Sequence, residues 1–472
     1  MTLKGLGEYG GTKTIKFKLE SEDFSGGCLD KKQSVTEGKN MKKKLLAGML
    51  VAGVLFGTVG CGEKAEESNS TIKISGETEN SGTENSDKEN QSIEENLEVF
   101  RTDTTDFSIE LLRQNLESGQ KNVMISPVSV LTALSMTANG ADGDTLAQIQ
   151  QVLGKNQDLE QLNLNIKAWT EGLVNTEDTA LKAANSIWFK DDEEKIQVKE
   201  EFLKKNSEYY NADIYKAAFD ESTLADINNW VSDKTEGRVK DILKEVPEDA
   251  VMYLINALAF EAEWKDVYFE NQIRDGIFHS SADEEENASF MYGEERTYLE
   301  DELATGFVKP YKEGYSFVAI LPKEGTTPSD YIASLTGEKF LQLLEGKKDA
   351  TVYTSIPKFE KEYEIEMKDI LKALGMSDAF DEEKADFSKL GVSDEGNIYV
   401  NRVLHKTFIS VNERGTEAGA ATVVEMVCET AAMEEGEIYK VYLERPFVYA
   451  IVDNETNIPL FIGTVDSIGA QN

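Results

Sequence analysis

His279 and His405 are the only histidines of this chain, and Cys28, Cys61 and Cys428 are its only cysteines. Hydrolytic chemistry needs such residues in company, as a nucleophile beside a base or as several ligands around a metal. Neither grouping forms. No two cysteines make a CxxC pair, two histidines are too few for a zinc cluster, and the HExxH and GxSxG patterns are absent. The 88 acidic residues could supply a pair of carboxylates for acid–base work, but against 49 basic ones, at a net charge of −39, most read as a solvated surface. A secreted hydrolase is therefore disfavoured, and no metal or cofactor is expected. The same charge argues against nucleic acid as a partner, because phosphate binding needs clustered Lys and Arg.

What remains is a segment on which chemistry could be done. Residues 411–422 read VNERGTEAGAAT. Thr416, Ala418, Ala420 and Thr422 form one alternating set, which Val424, Met426 and Cys428 extend. The other set holds Glu417, Gly419, Ala421, Val423 and Glu425. A strand has a side-chain period of two, so all the charge falls on one face and the first set could lie under a sheet. Yet Gly415, Gly419 and the small residues make it a poor strand by propensity. Taken alone the stretch reads as a flexible linker. Taken with its alternation it reads as a loop built to insert.

The elements that must hold such a loop are legible in outline. Phe107–Leu116 has helical periodicity, and Val130–Met136 follows Ser126-Pro127, a helix start signal. Ala184–Phe189 is β-prone, and Asn228–Thr235 reads as a helix ending near Gly237. Met252–Phe260, Tyr315–Pro322 and Phe447–Val452 read as buried strands. Helices come early and strands mostly late, so the class is α+β with large sheets. The 472 residues, 40% of them hydrophobic, suffice for a sizeable core.

Many short stretches then point the same way. Asn122-Val123-Met124-Ile125-Ser126-Pro127-Val128-Ser129, Asn228-x-Trp230-Val231, Leu254-x-Asn256-Ala257 with Phe260 and Trp264, Ile356-Pro357-Lys358-Phe359, Ala385-Asp386-Phe387-Ser388, His405-Lys406, Asn412–Ala418, Arg445-Pro446-Phe447 and Pro459–Gly463 occur in order and at matching spacing. From about residue 97 to 468 the chain resembles the serpin family of serine protease inhibitors. It departs from the pattern at Glu261-Ala262-Glu263, where many relatives carry Lys or Gly before the tryptophan.

The resemblance implies one domain of several helices around three β-sheets with an exposed reactive-centre loop. It implies a target serine protease as partner, held as a covalent acyl-enzyme while the cleaved loop inserts into the large sheet. Glu413, Gly415, Thr416, Ala418, Ala420 and Thr422 would be the hinge. Ser126, Ser129, Asn256 and His405 would be a polar cluster where strands part, so His405 is structural. His279 is read as an ordinary surface or strand residue. The reactive residue of relatives lies sixteen positions after the hinge glutamate, which gives the bond Glu429–Thr430, with Met426, Ala431 and Ala432 as alternatives. Glutamate-preferring or elastase-like enzymes would suit it. Cys428 beside it reads as a small apolar residue of the insertion face. The protein would act as a monomer. A non-inhibitory serpin serving as a binding or chaperone module is the second expectation, and inhibition of cysteine proteases a third. The absence of proline, bulk or inward charge from Thr416 to Thr422 favours inhibition.

The N-terminal region has its own organisation. Met41-Lys42-Lys43-Lys44 precedes an apolar run, 45–56, too short for the roughly 20 residues that span a bilayer. Residues 41–60 are read as a signal peptide with Met41 as the true start, and residues 1–40 as an upstream extension. Thr58-Val59-Gly60-Cys61 resembles a bacterial lipobox, with threonine where leucine is usual. Cys61 is thus the expected lipidation site and membrane anchor, with plain secretion as the alternative. Residues 61–96, rich in Ser, Glu, Asn and Thr, would be a disordered acidic tether, and 97–472 the folded domain.

Overall fold

The computed structural model describes residues 83–155, 157–176, 179–239, 241–247, 250–394, 396–416 and 437–469, with side chains from residue 96 onward. The helices are α1 (Thr83–Glu117), α2 (Pro127–Ala138), α3 (Gly143–Leu153), α4 (Leu159–Gly172), α5 (Glu200–Tyr210), α6 (Glu221–Lys234), α7 (Pro328–Ser334), α8 (Gly337–Glu345) and α9 (Lys368–Leu374). The strands are β1 (Met124–Ile125), β2 (Thr179–Lys190), β3 (Gln197–Val198), β4 (Asp213–Ala217), β5 (Met252–Glu263), β6 (Ile273–His279), β7 (Glu285–Glu300), β8 (Ala304–Pro310), β9 (Tyr315–Pro322), β10 (Lys348–Pro357), β11 (Phe359–Glu366), β12 (Gly391–Val392), β13 (Leu404–Val411), β14 (Gly415–Thr416), β15 (Ile438–Tyr442), β16 (Phe447–Asp453) and β17 (Pro459–Val465).

Three sheets result among the described residues. The largest runs β1-β17-β16-β9-β8-β7-β10-β15, with β6 also on β7. Its central strands β9, β16 and β17 are buried along their whole length, as their continuous apolar sequences require. The second sheet runs β11-β13-β14-β5-β2-β4, and β12 pairs with β3 in the third. Helix α2 starts where Ser126 leaves the extended region and its side chain accepts from the Ser129 N–H, with Pro127 in the first turn. Nearly all of α2 is buried, so it forms part of the core beneath the second sheet. Helix α6 lies against β5 of that sheet through a separate apolar cluster that includes Trp188, Ile227, Trp230, Val231, Ile255 and Ala257.

The expected α+β class is borne out. Helix α1 is a correction. It begins at Thr83, so residues 83–96, expected to belong to a disordered tether, are helical backbone. The C-terminal half of α1 buries Phe107, Leu111 and Leu112. A helix nucleated by that packing propagates into polar sequence free of Pro and Gly at little further cost.

Among the described residues the second sheet is joined over only part of its length. In β13 and β5 burial alternates with period two, and odd residues of β13 and even residues of β5 from Leu258 face the main core. Strand β13 is laddered to β11 on one side along its full length, and β5 to β2. Their facing edges share only the two residues of β14: Thr416 opposes Val411 on β13, and Gly415 and Thr416 oppose Glu263 and Ala262 on β5. Below that point, from Glu261 down β5 and from Ser410 down β13, no ladder among the described residues joins the two.

Candidate functional site

The site is the top of that gap. Asn412–Gly415 makes a tight reversal after β13: Asn412 N–H donates to the Gly415 carbonyl (3.0 Å) and Arg414 N–H to Asn412 Oδ1 (2.9 Å). The chain leaving β5 clamps this turn. Trp264 donates its backbone N–H to Arg414 O (2.7 Å) and its Nε1–H to Asn412 O (2.9 Å), and Tyr268 N–H donates to Glu413 O (2.9 Å). Lys358 Nζ lies 2.6 Å from the Glu413 carboxylate. Partial burial is the largest single influence and works to raise that carboxyl, but the Lys358 contact, a backbone N–H and the charge of Arg414 together outweigh it and hold the group below its ordinary value. Glu263, the departure from the family pattern, is itself paired, 2.6 Å from Lys312 and 3.8 Å from Arg414.

Thr416 is buried between β5 and β13, and its Oγ1 is hydrogen-bonded to the Tyr311 hydroxyl. Tyr311 is stacked on Trp264 with ring centroids 4.4 Å apart and meets Phe260 edge-on at 5.3 Å. Burial pushes the Tyr311 phenol far up, so it stays a neutral hydrogen-bonding group. Beneath Trp264, Lys309 and Glu295 form a buried pair at 2.8 Å, with Lys309 Nζ 4.4 Å from the Tyr268 ring centroid. Gly415 has no room for a side chain: a Cβ there would run into the Ala262 backbone carbonyl. Gly415→Ala is therefore expected to lift β14 off β5 and destabilise the native fold by about 1–3 kcal/mol. Hydrogen exchange checks it, because the Thr416 amide should become fast while the amides of β16 stay protected.

The expected polar cluster is only partly assembled. Ser126 Oγ donates to Leu460 O (2.9 Å) and accepts from Ser129 N–H (3.4 Å), and Ser126 N–H donates to His405 Nε2 (3.1 Å). His405 is buried, and desolvation lowers its pKa to about 4. Asn256 does not join them. Its Nδ2 donates to Asn185 Oδ1 (2.8 Å), and its buried Oδ1 has no partner among the described residues. Asn256, Ser129 and His405 do line one cavity of about 570 Å³ at the lower end of the gap, together with Leu134, Leu254 and Val403. His279 ends β6, exposed, its N–H on Glu444 O.

Ala418, Ala420, Thr422, the bond Glu429–Thr430 and Cys61 lie outside the described residues. Tyr311 escaped the sequence reading because nothing local marks it. Its signal is spatial, the stack on Trp264.

Among the described residues, the two strands β5 and β13 are bridged at one end of their facing edges by Gly415 and Thr416. Residues 102–468 match the family model Serpin (serine protease inhibitor). Serpin B6 of Pongo abelii is 30% identical over 79% of this chain and 100% of its own length. The leukocyte elastase inhibitor of Xenopus tropicalis is likewise 30% identical, with the same coverage. The crystal structure of a thermophilic serpin, tengpin, in the native state superposes with a TM-score of 0.73 at 50% identity, covering 78% of this chain and 94% of that one. The chain belongs to the serpin family. Protease inhibition is the general activity this membership supports, with target proteases as partners.

Proposed function

We propose that the protein is a suicide-substrate inhibitor of serine proteases of the elastase-like or glutamate-preferring kind. The observation that carries this reading is the register of β14. Thr416 opposes Ala262 and Val411 in antiparallel ladders. Continued down the gap, that register would bring Ala418 between Phe260 and Ile409, Ala420 between Leu258 and Thr407, and Thr422 between Asn256 and His405. Phe260, Leu258, Ile409, Thr407 and His405 belong to the core-facing sets and Asn256 follows on the same face of β5, so the small members of the loop would meet the core and Glu417 would lie on the opposite face. The Thr422 hydroxyl could then donate to Asn256 Oδ1, the acceptor left without a partner.

A protease would attack Glu429–Thr430 and become acylated on its serine. The freed upstream strand then adds to β5 and β13, carrying the enzyme with it, and the acyl-enzyme survives only if insertion outruns hydrolysis. Lipidation of Cys61 would hold this machine at a cell surface through two acyl chains.

The test is incubation with elastase-like, glutamate-specific and trypsin-like proteases, followed by denaturing gels and mass spectrometry. Expected is an SDS-stable complex with one of the first two, and a released peptide beginning at Thr430. Cleavage of the loop by every enzyme, with each remaining active, would overturn the reading.

A further inference from the structure

We propose that Lys309 is the positioning residue of the turn Asn412–Gly415: its buried ammonium fixes residues 264–268, and Trp264 and Tyr268 in turn hold the carbonyls of Asn412, Glu413 and Arg414. This role belongs to the intact chain and is independent of which protease it meets.

Residues 265–268 follow β5 without belonging to any strand or helix. A segment of that kind needs something other than a ladder to fix it. Lys309 Nζ gathers three alternate residues of it. The ammonium donates to Asp266 O (3.1 Å) and lies 5.3 Å from the ring centroid of Trp264 and 4.4 Å from that of Tyr268. Glu295 completes the set, accepting from Lys309 Nζ at 2.8 Å. The ladder between β7 and β8 ends with Thr297 opposite Val308, so Glu295 and Lys309 stand just beyond it, where the two strands part. The Tyr268 ring rests on Gly293 of β7, where a Cβ would come within 2.9 Å of its Cε1.

The same segment supplies donors to three consecutive carbonyls of the turn. Trp264 Nε1–H donates to Asn412 O (2.9 Å), Tyr268 N–H to Glu413 O (2.9 Å) and Trp264 N–H to Arg414 O (2.7 Å). One ammonium thus stands behind all three bonds without touching the turn itself. Global stability does not account for the pair. Both side chains are buried. Removing two such charges from water costs several kcal/mol per ion, and apolar residues of similar volume often serve a fold as well or better. What apolar residues lack is a donor for Asp266 O and a cation for two ring faces. Those are the contacts that reach residues 264–268.

The test is amide hydrogen exchange on the full chain, read at Trp264 and Tyr268 against the amides of β16. In Lys309→Met combined with Glu295→Leu, the urea midpoint is expected at or above that of the unaltered chain. The Trp264 and Tyr268 amides should exchange about tenfold faster while those of β16 keep their rates. A pair that served stability alone would move every protected amide together. Trp264 and Tyr268 amides that change only in step with β16, or not at all, therefore overturn the assignment. Should the double variant fail to fold, Tyr268→Leu decides. It takes one ring from the ammonium, and the Trp264 amide, reached from Tyr268 through Lys309, should quicken by at least about threefold. An unchanged Trp264 amide in that variant overturns the assignment as well.

Discussion

Thr416→Arg is expected to turn the inhibitor into a substrate: the loop is still cut, but the SDS-stable complex disappears. Thr416 is 2% exposed, wedged between β5 and β13, with its hydroxyl on Tyr311. A guanidinium there would have to leave water with no carboxylate waiting, at a cost of several kcal/mol. The intact protein avoids that cost by letting the first residues of the loop leave the gap, so its melting temperature should change by only a few degrees. In the proposed mechanism the cleaved protein cannot avoid it, because the inserting strand would have to keep this position between β5 and β13. Each 1.4 kcal/mol added to the insertion barrier slows it about tenfold, so hydrolysis of the acyl-enzyme wins. The stoichiometry of inhibition should rise from near one to more than about ten. Densitometry of complex against cleaved inhibitor measures this. Complex formation unchanged by the substitution would show that Thr416 is not an inward residue of the inserting strand. Thr416→Val, which keeps the shape and loses only the Tyr311 contact, should leave most of the complex intact.

Acidification is expected to cost the intact fold about 3 kcal/mol through His405 alone. In the fold this imidazole is buried, accepts from Ser126 N–H and stays neutral down to about pH 4. In the unfolded chain it protonates near its ordinary pKa of about 6.5. The unfolded state therefore takes up the proton first, and the stability that neutral His405 contributes is complete above about pH 6.5 and gone by about pH 4. A difference of about 2.5 units corresponds to roughly 3 kcal/mol. Glu413 acts in the same direction at lower pH, because its depressed pKa gives stability that is lost as Lys358 loses its carboxylate partner. Urea unfolding at a series of pH values from 7.5 to 4, compared with His405→Gln, isolates the histidine. The variant should be less stable at pH 7.5 and show a shallower acid limb. Parallel curves would mean that His405 titrates normally in the fold. The loss falls where the strands part, so mild acid should also hasten loop insertion in the uncut protein, read as a gain in heat resistance after incubation and return to neutral pH.

Much of the scaffold was written locally. Ser126-Pro127 announced α2 because a capping hydroxyl and a ring that pre-sets φ act within a few residues. β5, β9 and β16 stood out as apolar runs, and the alternation around Thr416 separated the charged from the small positions before any partner was known. The start of α1 was misjudged because its N-terminal turns have no apolar face to announce them; they continue a helix stabilised further along by packing. Asn256 kept its place beside the gap but took Asn185 as partner, a choice made by the β2–β5 register, in which the two lie directly opposite.

The sequence by itself determined that the chain carries an alternating segment with few charges, and which family it belongs to. Those properties are local in the chain: residue type, spacing and period two. Only the tertiary structure decided that Gly415 and Thr416 are laddered both to a strand about 150 residues earlier and to the one immediately before them. It also supplied the Tyr311 contact and left Asn256 Oδ1 without a partner among the described residues. Each depends on which edges face one another across the gap, and strand pairing between distant segments leaves no periodic trace in either of them.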